Sequence, residues 1–140
     1  MGKIDYREIE DLQGQVSSHY NSISEATATI SSIDAKLAKL RSAKQSVGNI
    51  RSEIHEIKIY VMVQDDQPQW NGQQKENFGH QWEGFRQDFN ACQRELDAFH
   101  DAICDEITRL ENQKLDQQSF IGWCQTQINN LGNFIEKLLN

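Results

Sequence analysis

Proline is nearly missing from this chain: one residue, Pro68, in 140. Almost nothing therefore forbids long helices, because the usual interior helix breaker occurs once. Apolar residues are also scarce at 37%, against roughly 45–50% for an average globular domain. No segment approaches the about 20 consecutive apolar residues of a membrane span. There is no Lys/Arg-rich run, and the net charge is −7. An acidic chain without a basic patch lacks the counterion release that drives nucleic-acid binding, and it is repelled by anionic lipid. Three cysteines, an odd number, cannot close a fully paired disulfide framework. The first residues, Met1 to Glu8, have no apolar core of the secretory-signal kind. Tyr6 stands where a myristoylation motif wants Ser or Thr. The expectation is a protein that starts in the cytosol with reduced thiols.

What is present is periodicity. Up to Val63, apolar residues fall in two seven-residue columns. One runs Ile9, Val16, Ile23, Ile30, Leu37 and then Lys44; the other runs Leu12, His19, Ala26, Ile33, Leu40, Val47, Ile54, Val61. Such spacing predicts a coiled-coil-like helix over about 5–63, roughly 90 Å long at 1.5 Å per residue. At Lys44 the first column fails, and Ile50 and Ile57 are expected to take over. Gly48 lies in the same zone. A second helix is predicted over about 73–139. Its columns are Phe78, Phe85, Cys92, Phe99, Glu106, Gln113, Phe120, and Trp82, Phe89, Leu96, Ile103, Leu110, Gln117, Cys124, Leu131, Leu138. A third stripe starts at Ile107 and continues through Lys114, Ile121, Ile128 and Ile135. Polar Gln113, Lys114 and Gln117 and nearby Gly122 predict bending or fraying near 112–122. Cys92, Cys104 and Cys124 read as small hydrophobes on the apolar side.

Between the helices, over 64–72, lies Asp65-Asp66-Gln67-Pro68-Gln69-Trp70-Asn71-Gly72. The fold predicted is all-α: a single domain over 1–140, an elongated antiparallel two-helix hairpin with a Trp-x-Gly turn. Antiparallel geometry sets Ile54–Val63 beside Phe78–Phe89, so the strongest packing is expected at the turn end. A hairpin buries only one face of each helix. Ile57, Ile59, Val61 and Val63 look too many for that face, and surplus apolar surface of this kind marks a partner interface.

Trp70-Asn71-Gly72 in the only strong break, followed by the early aromatic Phe78, resembles the signature of the WXG superfamily of type VII secretion. The length, beyond the roughly hundred-residue core members, is most similar to the small helical proteins associated with LXG toxins. The resemblance implies a helical targeting partner or chaperone that binds the helical N-terminal domain of an LXG toxin. It would promote the toxin's export through a type VII system, with room for a second small helical protein. It implies a cytoplasmic protein, secreted in company if at all. One departure stands out: the Tyr-x-x-x-Asp/Glu export signal of core members is absent from the segment ending Glu136-Lys137-Leu138-Leu139-Asn140. A partner would then have to carry the signal, or the chain acts only as a chaperone.

The residues assigned to partner binding or to the turn motif are Trp70, Gly72, Phe78, Ile57, Val61 and Trp82. Trp70 either caps the hairpin or is splayed outward for recognition, with Gly72 allowing close backbone approach. Trp82-Glu83-Gly84 repeats the triplet, but its register places Trp82 in the core. No catalytic, cofactor or metal site is expected. His100 and Cys104, four apart, have zinc-like spacing, and Asp97 precedes His100 by three; a bundle iron site would need a second such pair. No phosphate loop or nucleophile elbow exists, and a thin hairpin offers no deep pocket. The chain is expected not to be an enzyme. The alternative reading is a structural homodimeric coiled coil, a homo-oligomer with no export role.

Overall fold

The computed structural model describes residues 5–63 and 72–140, without the side chains of 62, 63 and 74. All of it is helix except the end residues Asp5 and Asn140. Helix α1 spans Tyr6–Val63 and helix α2 spans Gly72–Leu139. They pack against each other as a helical hairpin, the fold read from the periodicity. The expected Trp-x-Gly turn, apart from Gly72, lies outside the described residues.

Local chemistry explains where α1 begins. The Asp5 carboxylate accepts hydrogen bonds from the amides of Arg7 (3.1 Å) and Glu8 (3.2 Å), and its carbonyl accepts from Ile9. That is an N-cap, and it satisfies amides that have no partner within the helix. Inside the helices, hydroxyls that could compete with the backbone turn back onto it instead. Thr27 donates to the Ile23 carbonyl, Thr29 to Glu25 and Thr126 to Gly122. Lys137 lies in the last turn of α2, where its charge suits the carbonyl end of the helix.

The two helices meet in two compact units. The first joins the described part of Met1–Ala38 to Thr108–Asn140. Its buried residues are Ile9, Ala26, Ile33 and Leu37 from α1 and Leu110 and Cys124 from α2. Leu37 and Cys124 are fully enclosed, at 1% and 0% exposure. Both seven-residue columns of α1 contribute here. The stripe Ile121, Ile128 and Ile135 answers them half-buried. Lys114 interrupts that stripe, but its ammonium reaches Asp34 at 2.7 Å. Through 112–122 the helix is unbroken, so the expected fraying does not occur. A long lysine stem can lie along the seam and deliver its charge to a carboxylate at the edge.

The second unit is Lys39–Ile107. Buried residues in it are Val47, Ile103 and Ile107. Toward the turn, Ile54, Val61, Trp82, Phe89 and Leu96 are only half-buried. The expectation that packing is strongest at the turn end is therefore wrong. Only one apolar column per helix faces the partner there. The companion positions are held by Lys44, Arg51 and Lys58 on α1, and by Arg86, Gln93 and His100 on α2. Ile50 and Ile57 do not take over the seam, since both are exposed. Phe85, Cys92 and Phe99, read as a seam column, are exposed as well. Of the three cysteines only Cys124 is buried; Cys104 is half-buried and Cys92 exposed, and all are free thiols.

Leu37 and Arg51 should separate core from edge. Leu37→Ala is expected to cost about 2–4 kcal/mol, through lost burial and a residual cavity. Arg51→Ala should cost under about 1 kcal/mol, because its pair with Asp97 is exposed. Urea unfolding followed by circular dichroism measures both.

Candidate interaction surface

Writing each heptad a to g, with a and d facing the other helix, gives the two flanks of the second unit distinct chemistry. On α1 the a column ends Lys44, Arg51, Lys58, and the d column ends Leu40, Val47, Ile54, Val61. On α2 the d column is Trp82, Phe89, Leu96, Ile103, and a is Arg86, Gln93, His100, Ile107. In an antiparallel pair the positions beside a on both helices share one flank, and those beside d share the other.

The first flank is polar and cross-linked. The Arg51 guanidinium donates to Asp97 Oδ1 at 2.8 Å. The Lys58 ammonium donates to Asn90 Oδ1 at 3.1 Å and to Gln93 Oε1 at 3.2 Å. Arg51, Gln93 and Asp97 line an open groove of about 540 Å³, together with Gly48, Ser52 and Leu96. Partly exposed pairs of this kind add little stability. They do fix register, because Arg51 bridges to one position and Lys58 to two neighbouring positions on the opposite helix.

The second flank is apolar and uncovered. Its g positions are Ile50 and Ile57 on α1 and Phe78, Phe85, Cys92 and Phe99 on α2. The register set by Arg51 and Asp97 places Ile50 across from Phe99 and Ile57 across from Cys92. Ile57 is 52% exposed, Phe85 46% and Phe99 56%, and Tyr60 beside them is also exposed. An aromatic ladder runs along α2 from seam to flank. Phe78 stacks on Trp82 with centroids 6.0 Å apart, Trp82 meets Phe85 at 5.7 Å, and Phe85 meets Phe89 at 5.8 Å. Such contacts hold the outward rings in a fixed array.

The six assigned residues distribute as follows. Ile57 points outward on the apolar flank. Val61 and Trp82 come together around a small niche of about 20 Å³ that Phe85 and Phe89 also line. Phe78 is half-buried against Trp82. Gly72 opens α2 with φ +61°, a left-handed conformation that glycine adopts without steric cost. No described atom lies within 4 Å of where its Cβ would be. Trp70 lies outside the described residues. Sequence reasoning missed the outward placement of Ile50, Phe85 and Phe99. The signal was the row of cations Lys44, Arg51 and Lys58, which continues the a column and leaves no seam place for Ile50 and Ile57.

The first unit has an aromatic cluster of its own. Trp123, 53% exposed, stacks on Phe120 at 6.1 Å and takes the His19 ring edge-on at 5.5 Å. His100 Nδ1 lies 3.8 Å from Cys104 Sγ. Among the described residues no three histidine, cysteine or acidic side chains cluster as metal ligands would, and no helix is long and apolar enough to cross a membrane.

These features define a class: a helical hairpin whose two helices close one seam and leave an ordered apolar flank free. A family model described as YwqH-like matches residues 14–133, and the chain belongs to that family, small helical proteins associated with the operons of LXG toxins. No curated protein matches the chain.

Trp82 supplies a test of the seam. Its indole N–H is buried and meets no acceptor among the described residues, a situation that costs about 1–3 kcal/mol. Trp82→Phe removes that donor together with one ring of the indole, so relief of the orphaned N–H should largely offset the lost packing and thermal melting should shift by only a few degrees. A fall well beyond what the lost ring accounts for would show that the N–H is bonded in solution.

Proposed function

We propose that this protein is a non-catalytic targeting partner or chaperone. It binds the helical N-terminal domain of an LXG toxin and promotes the toxin's export by a type VII secretion system. The observation that carries this reading is the free apolar flank on Ile57, Phe85 and Phe99, in a chain whose family accompanies LXG operons. A hairpin with one seam closed and one flank open is half of a larger helical bundle. Adding one or two helices would bury rings that water now wets, at roughly 25 cal/mol per Å² of apolar surface. The Trp70-Asn71-Gly72 triplet supports kinship with the WXG superfamily, and Trp70 is proposed as part of the recognition end. Export would follow from a signal carried by the partner.

The test is an affinity pull-down of the tagged chain from its native cell, with cytosol and medium analysed separately by mass spectrometry. A stoichiometric LXG toxin in the cytosolic eluate supports the escort role, and its co-appearance with this chain in the medium supports joint export. Recovery of the chain alone, as a discrete homo-oligomer, would instead favour a structural coiled coil.

Ile57→Asp should leave helicity unchanged while lowering toxin-domain recovery at least tenfold, since it sets a charge inside a desolvated interface. Undiminished recovery would move the interface away from this flank.

A further inference from the structure

We propose that the apolar flank of the unit Lys39–Ile107 is a docking face for an amphipathic helix of another protein whose apolar stripe is edged by lysine and arginine. The inference rests on the escort reading and adds the chemistry that its partner must carry.

Most cations of this unit keep away from the apolar flank, whereas carboxylates stand on both flanks: Glu83 and Asp97 lie beside the a column and Glu56 lines the polar groove. Lys44, Arg51, Lys58 and Arg86 all occupy a positions, beside the polar groove. On the apolar side, the positions next outward from the phenylalanines and isoleucines carry Glu53 on α1 and Asp88 and Glu95 on α2, all exposed. Among the described residues of the unit, Lys39 is the cation that shares this rim, two heptads before Glu53. An incoming helix would thus meet aromatic and aliphatic side chains along its centre and carboxylates along both edges.

The same rim argues against a second copy as the occupant. Symmetric pairing of two identical flanks would bring Glu53, Asp88 and Glu95 toward their own kind, and like charges facing each other at an interface are costly. A basic-edged helix removes that conflict. The rings supply most of the affinity, as buried aromatic anchors do. The carboxylates supply selectivity and faster encounter.

The test uses the full chain and two synthetic helical peptides with the same Leu/Ile stripe, one edged with Lys/Arg and one with Glu. Binding is read by fluorescence anisotropy at low and high salt. The basic-edged peptide is expected to bind about tenfold more tightly, the sum of several weak exposed pairs. That gap should narrow as salt screens it. The triple variant Glu53→Lys, Asp88→Lys, Glu95→Lys should invert the preference. Phe85→Ser with Phe99→Ser should abolish binding of both peptides, with helicity by circular dichroism unchanged because both rings are substantially exposed. Equal binding of the two peptides, or a preference that survives charge reversal, overturns the proposal. So does a dimer of the chain, seen by light scattering, that the double Phe variant dissolves. A parallel titration with the LXG toxin's helical domain separates the two readings. If the peptides behave as expected and the toxin domain does not bind, the escort role fails and the chemistry of the face stands. If the toxin domain binds equally to wild type and the charge-reversed variant, the face proposed here is wrong and the escort role stands.

Discussion

A pair of helices has one mutual seam, and every other face must be polar, covered by something else, or left wet. That constraint organises what each unit of this hairpin does with its apolar residues. In the unit containing Leu37, Leu110 and Cys124, both facing columns are mostly apolar and enclose Leu37 and Cys124 completely. In the unit Lys39–Ile107, the a columns turn cationic or polar at Lys44, Arg51, Lys58, Arg86 and Gln93. Toward the turn only the d columns then remain to pack, and burial there falls to intermediate.

The second unit does not simply have fewer apolar residues; it has them elsewhere. Ile50, Ile57, Phe85 and Phe99 stand one position away from the seam, on the flank opposite the Arg51–Asp97 pair. Burying a cation at an a position is tolerable when the head group reaches an acceptor at the edge, as Lys58 does with Asn90 and Gln93. Leaving phenylalanine in water has no such remedy, and the aromatic ladder keeps Phe85 between Trp82 and Phe89 rather than letting it fold over. A structure that gives seam places to cations and outward places to rings leaves an apolar face uncovered, the face on which a further helix is proposed to dock. The family to which the chain belongs is associated with the operons of LXG toxins.

The extent to which this was legible differs from residue to residue. Two long helices and a hairpin followed from the heptad columns and the single Pro68, since local periodicity of that length has few other solutions. The d columns, from Leu12 to Val61 and from Trp82 to Leu138, were read correctly as facing inward. Choosing the companion column was harder. From sequence, Ile50 and Ile57 look better suited to a seam than Arg51 and Lys58, and Phe85 looks better than Arg86. The structure gives Arg51 and Lys58 the partly buried places, because the matching acceptors Asp97, Asn90 and Gln93 lie across from them; Phe85 and Arg86 are both exposed, and Arg86 pairs with Glu83 on its own helix. Complementarity between positions more than thirty residues apart is invisible to a reading of one helix at a time.

By itself, then, the sequence determined that this chain is helical, that it turns back once, and which column of each helix faces the other. Backbone hydrogen bonding, helix periodicity and the scarcity of proline act locally, so they can be read locally. Which second column completes the seam, where packing is tightest, and which flank is left apolar were decided only by tertiary structure. Each of these depends on the axial register of two helices, and one step in the heptad moves a side chain from the seam to open water.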